Sequence, residues 1–145
     1  MSDNLHPLLA TPWVQELLSK PIIARLGTCN TKTNQPHVTP VWFLWDGKAI
    51  NVSAFVSTRK VREVAQNPLV SILIDTANPS EPVRGILLEG KADLIDKPEH
   101  VAPLAERIYS HYAGADGLDD AMRSWIVDPE NRIIRLAPGK VYVWG

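Results

Sequence analysis

The stretch Val56-Ser57-Thr58-Arg59-Lys60 sets two hydroxyls and two cations where a helical pattern begins. Val61, Val64 and Ala65 follow at helical spacing, and Asn67-Pro68 stops the pattern before an apolar run over 69–75. A helix start already carries unpaired N–H groups and a partial positive charge, so Arg59, Lys60 and Arg62 have the wrong sign for it. An anion there resolves the conflict. Phosphate suits best, because backbone N–H groups, hydroxyls and cations all donate charge-assisted hydrogen bonds to it. The plain alternative is a solvated charged face, since such charges alter helix stability by only ~0.3–1 kcal/mol.

Other elements must hold that junction in place. Residues 37–45 and 49–54 are two apolar runs separated by Asp46-Gly47, the strongest short hairpin signal in the chain. The spacing predicts a type I′ turn that pairs residues 39–45 with 49–54. Ahead of it, Thr11-Pro12 opens a short amphipathic helix that Pro21 ends, and residues 22–29 alternate as a strand, with Ile22, Ala24 and Leu26 on one face. After it come the strand at 69–75, a turn-rich loop at 76–82, and a long strand at 83–95 interrupted by Gly85 and Gly90, where a curling sheet would bend. Asp96-Lys97-Pro98-Glu99 opens a further helix whose Val101, Leu104, Ala105, Ile108, Tyr109 and Tyr112 form one stripe. A weaker helix at 118–127 and two short strands at 133–137 and 140–144 complete the chain. About seven strands, several hairpins and no regular strand–helix alternation predict an α+β, mostly antiparallel barrel with inserted helices.

Composition bounds the function. The chain has 145 residues, 45% of them hydrophobic and 21% charged, with a net charge of −1, which fits one soluble domain spanning 1–145. No basic excess draws it to nucleic acid or to an anionic membrane, so a local basic cluster points to a small anionic ligand. Cys29 is the single cysteine and reads as a buried strand thiol, and four scattered histidines offer no metal spacing. The first thirteen residues lack the basic start and apolar run of a secretory leader, and no stretch reaches the length of a membrane span. The expected compartment is the cytoplasm.

The order of these motifs resembles the pyridoxamine 5′-phosphate oxidase-like split β-barrel family, whose members bind FMN or deazaflavins. The resemblance rests on IARLGTCNTKTNQPHVTPVWFLWDGKAINVSA, STRKVREVAQNPLVSILID, VRGILLEGKADLID and the ending RIIRLAPGKVYVWG. It implies a split barrel of six to seven strands and a homodimer with the flavin at its interface. By that resemblance Thr58, Arg59 and Lys60 hold the phosphate, Thr39-Pro40-Val41-Trp42-Phe43 run along the ring, and Ser53 and Ala54 lie beneath the ribityl chain; Ser57 and Arg84 are further candidate cofactor-binding residues. The residue types agree with this, since a flavin needs an apolar slot, backbone donors and acceptors, and cations for its phosphate. The chain stops before the C-terminal basic and histidine residues with which authentic pyridoxamine phosphate oxidases grip their substrate.

The expected function is therefore an FMN-dependent oxidoreductase acting on a small conjugated or heteroaromatic molecule. The flavin carries the chemistry, so no side-chain acid or base is assigned. Trp42, Trp45, Tyr112 and Trp125 either line the substrate face or simply pack. Two alternatives remain open. One is a reductase using the deazaflavin coenzyme F-420, with Lys32, Lys48 or Arg84 for its longer tail. The other is a non-catalytic flavin- or haem-binding module, for which His6, His37, His100 and His111 are the candidate imidazoles.

Overall fold

A computed structural model describes residues 6–76 and 78–145. The expectation of no leader in the first thirteen residues falls partly on residues 1–5, and the 76–82 loop includes Ala77; those positions lie outside the described residues. In chain order the elements are α1 (Pro12–Leu18), β1 (Ala24–Cys29), β2 (Pro36–Val41), β3 (Leu44–Trp45), β4 (Ile50–Phe55), α2 (Arg59–Gln66), β5 (Leu69–Asp75), β6 (Gly85–Ile95), α3 (Pro98–Ala113), α4 (Asp120–Ile126), β7 (Asn131–Leu136) and β8 (Lys140–Trp144). Short 3-10 turns at Pro7–Ala10 and Ala115–Gly117 complete them.

Every pairing is antiparallel and the strand order is β2-β1-β5-β6-β7-β4-β3, with β8 joined to β6. The expected α+β split barrel is what forms. Strand β6 carries the curl: Gly85 to Glu89 pair with β8 along one edge, and from Ala92 onward β7 takes over. Gly90 sits at the changeover, where an added Cβ would stand 3.1 Å from the Gly139 nitrogen and 3.2 Å from Leu136 Cδ1. Alternation inside the strands fills the barrel with Leu26, Ile72, Ile74, Ile86, Leu88 and Ile134, all fully buried. Helix α2 contributes Val61 and Val64 to this core. The α3 stripe forms a second cluster with α4 and β7 through Val101, Ala105, Ile108, Ile126 and Ile133.

Three expectations need correction. Residues 39–45 do not pair with 49–54 as one strand. Thr39 to Val41 belong to β2 and pair with β1, whereas only Leu44 and Trp45 reach β4, opposite Asn51 and Ile50. The chain bends at Trp42-Phe43, which divides the expected strand in two and raises the count to eight. The turn is not type I′ either: Asp46 N–H donates to Ala49 O at 3.2 Å, so Gly47 and Lys48 are the central pair, and of the turn residues Gly47 alone has positive φ, at 95°. Asp46 instead uses its side chain, accepting from the Lys48 and Ala49 N–H groups. Cys29 is half-buried rather than buried, because its position falls on the outer face of β1.

Candidate functional site

The bend at Trp42-Phe43 opens a wedge in the barrel wall. Strand β4 pairs with β7 along its whole length, but on its other edge only Ile50 and Asn51 are taken by β3. Strand β2, which runs into β3, pairs with β1 on one edge alone. The other edges of β2 and of Val52–Ala54 in β4 therefore diverge from the bend without a ladder partner among the described residues, leaving backbone donors and acceptors unpaired over about 10 Å of β4. Main-chain hydrogen-bonding groups are thus available on both of these edges.

The apex of the wedge is held by Tyr112, at the end of α3. Its hydroxyl accepts from the Phe43 N–H at 2.9 Å and donates to the Ile22 carbonyl at 2.7 Å. Its ring stacks on Trp42 with 4.5 Å between centroids and 1° between planes. Burial pushes the phenol up to about 12 despite the opposing Phe43 N–H, so the hydroxyl keeps its proton at neutral pH.

The base of the wedge is the start of α2. Val56 N–H donates to Glu130 O at 3.0 Å, and Thr58 turns its hydroxyl back to Phe55 O at 2.7 Å, so Thr58 gives no side-chain cap to the helix. Helix α2 then runs from the end of β4 to β1, where Thr28 Oγ1 donates to Glu63 Oε1 at 2.6 Å and Thr31 Oγ1 donates to Gln66 Oε1 at 3.0 Å. It thus crosses the open end of the wedge.

Charges at the base are unequally matched. Arg59 Nε donates to Glu63 Oε2 at 2.9 Å, and Glu63 is only 6% exposed. Burial alone would raise the Glu63 pKa, but the Thr28 hydroxyl, the Arg59 hydrogen bond and charge, and the charge of His37 hold it below the ordinary carboxylate value. Arg62 Nη1 donates to Ser57 O at 2.6 Å. Lys60 is half-buried, has no acceptor among the described residues, and has its pKa pushed down by burial. Ser57 is exposed.

Residues expected along a ring and ribityl chain sort into two kinds. The side chains of Val41, Phe43 and Ala54 are buried in the barrel core, so only their backbone could face a ligand. Thr39 Oγ1 is a buried polar atom without a partner, which is what an absent polar ligand would leave behind; Pro40 beside it is exposed. Ser53 Oγ donates to Asn131 Oδ1 at 2.7 Å, which leaves the Tyr109 hydroxyl, 3.1 Å away, as donor to Ser53. Trp42, Tyr109 and Tyr112 pack against the second core cluster, whereas Trp125, 43% exposed, meets only the edge of Tyr109 among these rings, with 6.3 Å between centroids. Arg84 lies apart, its guanidinium 5.3 Å above the Trp13 ring at the far end of β6. Within one chain the fold does not bring it to the α2 start.

Sequence reasoning missed Glu63 and Thr28 at the base, and it named Tyr112 as a stripe or substrate-face aromatic without its hydrogen bonds to Phe43 and Ile22. The i,i+4 spacing of Arg59 and Glu63 was the available signal for the first. Among the described residues no three His, Cys, Asp or Glu side chains group for a metal, and no helix is long and apolar enough to cross a membrane. A groove of about 800 Å³ lies on the face of β2-β1-β5-β6-β8 between Val38, Leu69, Ser71, Glu89 and Lys140, and Thr28 and His37 also line it.

The fold recurs in solved structures. A conserved hypothetical protein, Rv2991 from Mycobacterium tuberculosis, superposes with a TM-score of 0.78 at 20% identity, over 93% of this chain and 84% of its own. A protein described as an F420 reductase gives 0.71 at 22% identity over 88% and 94%. HutZ, the haem storage protein of Vibrio cholerae, gives 0.74 at 15% over 91% and 92%. These likenesses speak for the fold alone. No curated protein sequence matches the chain. The family model described as pyridoxamine 5′-phosphate oxidase matches residues 10–145, nearly the whole sequence, and by that match the chain belongs to the pyridoxamine 5′-phosphate oxidase family.

Proposed function

We propose that the protein binds FMN in the wedge between β2 and β4 and acts as an oxidoreductase on a small conjugated or heteroaromatic molecule. The observation that carries this is Lys60, a half-buried cation without an acceptor at the helix start that crosses the open end of a backbone-lined slot. The unpartnered Thr39 hydroxyl fits the same ligand. Ser57, Thr58, Arg59 and Lys60 would hold the phosphate, and the β2 and β4 edges would meet the ring and ribityl chain through their backbone. When bound, the isoalloxazine supplies the hydride or electron transfer. The chain's own part is to orient the ring, exclude water and neutralise the phosphate.

A homodimer belongs to this proposal. Among the described residues no helix covers the outer face of β2-β1-β5-β6-β8, where Val38, Leu69, Tyr142 and Trp144 are 64%, 56%, 47% and 42% exposed. A second copy seated there would bury them and bring further residues toward the cofactor, which is how Arg84 could reach it. Light scattering should give about twice the chain mass.

A second reading is a reductase dependent on the deazaflavin coenzyme F-420. It is favoured by the Arg59–Glu63 pair, which lowers the positive charge offered to a phosphate. The visible absorption spectrum of the purified protein, with mass measurement of any released ligand, separates FMN from a deazaflavin. FMN titrated into ligand-free protein must bind one per chain; no binding of FMN or of a deazaflavin would sink the proposal.

A further inference from the structure

Resting on the flavin-phosphate reading above, we infer that Glu63 is a specificity residue that sets how much negative charge the ligand's phosphate is allowed to carry. Its carboxylate is buried, anchored by Thr28 Oγ1 at 2.6 Å and bonded to Arg59 Nε at 2.9 Å. One negative charge is thus built into the base of the wedge and cancels Arg59. The groups that face Glu63 are Thr28 on β1, Arg59 on its own helix and His37 on β2, whose charge acts on it through space. Arg62 is exposed and occupied with Ser57 O, so solvent screens it. Lys60 remains as the uncompensated, partly desolvated cation. A site with one such cation matches one negative charge better than two.

The pair also has a positioning effect. Arg59 spends Nε on Glu63 and keeps its two terminal nitrogens free, so Glu63 aims the guanidinium while lowering its field. The two effects oppose each other, and charge should win for a dianion. Orientation is worth the same for every phosphate, whereas repulsion from the carboxylate grows in proportion to ligand charge.

Three flavins with one ring test this at pH 8, where a phosphate monoester carries nearly two charges: FMN, the riboflavin 5′-phosphate methyl ester with one charge, and riboflavin with none. Glu63→Gln keeps an oxygen to accept from Thr28 and removes the charge. Affinity should rise on the order of tenfold for FMN, about threefold for the methyl ester, and not at all for riboflavin, because the logarithm of the change scales with charge. A change equal for all three ligands, or a fall for FMN, would overturn the inference while leaving the flavin reading intact. Failure of the wild-type protein to bind any of the three overturns both. Should Glu63→Gln not fold, the wild type decides alone at low salt. A preference for FMN over its methyl ester below about tenfold supports the inference, and one above that overturns it.

Discussion

Tyr112 stands in for the strand that Phe43 lacks: the Phe43 N–H, freed by the bend between β2 and β3, ends 2.9 Å from the Tyr112 hydroxyl, which in turn donates to Ile22 O at 2.7 Å. One side chain from α3 thereby closes the backbone at the point where the barrel wall splits. Tyr112→Phe keeps the stack on Trp42 but leaves both backbone groups without a partner. Each unsatisfied group costs about 1–3 kcal/mol where water cannot replace it. A loss of thermal stability of that order is expected, with a weaker flavin complex because the apex loosens. An unchanged melt would show that water fills the gap and that the latch is dispensable.

Lys60→Ala separates ligand binding from folding. Losing one charge-assisted hydrogen bond, worth roughly 1.5–3 kcal/mol, should weaken FMN about tenfold or more and leave riboflavin unaffected. The ligand-free protein should melt at the same temperature or slightly higher, since a cation at a helix start opposes the dipole. Arg59→Ala behaves differently. It removes the guanidinium from buried Glu63, so the ligand-free protein should also lose stability. Calorimetric titration and melts of the two variants make the comparison.

Gly47 isolates backbone strain. A Cβ there meets nothing within 4 Å, yet the residue has φ of 95°. Gly47→Val should cost on the order of 1–3 kcal/mol through conformation alone. Gly47→Asn should cost less, because asparagine tolerates positive φ. Equal melting temperatures for Val and Asn would contradict the turn geometry.

Asp46 makes the hairpin sensitive to acid. Burial works against its charge, but the Arg135 hydrogen bond, the Ala49 and Lys48 N–H groups and the Asn51 amide hold its carboxyl down at about 2, against 3.8 for a free one. Because the folded value is the lower, this stabilisation is fully present above 3.8 and is lost as pH falls through about 2. Its size is about 1–2 kcal/mol. Asp46→Asn should lose that amount at pH 7, and the difference from the parent protein should shrink between pH 4 and about 2. Denaturant melts across that range read the effect; a gap that stays constant with pH would assign the loss to geometry instead.

Gly85 underlies the exposed indole of Trp144, and an added Cβ would overlap its ring. The ring must move, because β6 is fixed between β5 and β8. Gly85→Ala should therefore shift Trp144 emission and weaken a dimer formed through the outer sheet face. Emission spectra referenced to Trp144→Phe, with sedimentation, test both halves.

What the sequence made legible was local. Alternation marked β1, an apolar run after Asn67-Pro68 marked β5, and the 3.6-residue stripe of α3 correctly grouped Val101, Ala105 and Ile108. The position of α2 followed from its apolar spacing and from Asn67-Pro68. The division of β2 from β3 was not readable, because Trp42-Phe43 carries no glycine or proline and bends only through a partner seventy residues away. The inward fate of Val41, Phe43 and Ala54 was likewise hidden: a ligand-lining strand and a core-facing strand share one alternation. Arg59 looked like a free cation until the fold buried Glu63 beside it.

The pairing of β4 with β7 also has a consequence for how the chain is born. Phe55 lies opposite Asn131, and Ser53 reaches Asn131 across 78 residues of sequence. Contacts of such separation close slowly, because loop entropy is paid before they form. A chain emerging from the ribosome with its N-terminus first completes β4 long before β7 exists. During that interval Val52 and Ala54 present an apolar face on a strand with at most two residues paired, a surface prone to cross-chain pairing. Emergence of the segment that holds β7 and β8 is then the moment at which the nascent sheet loses its stickiest edge.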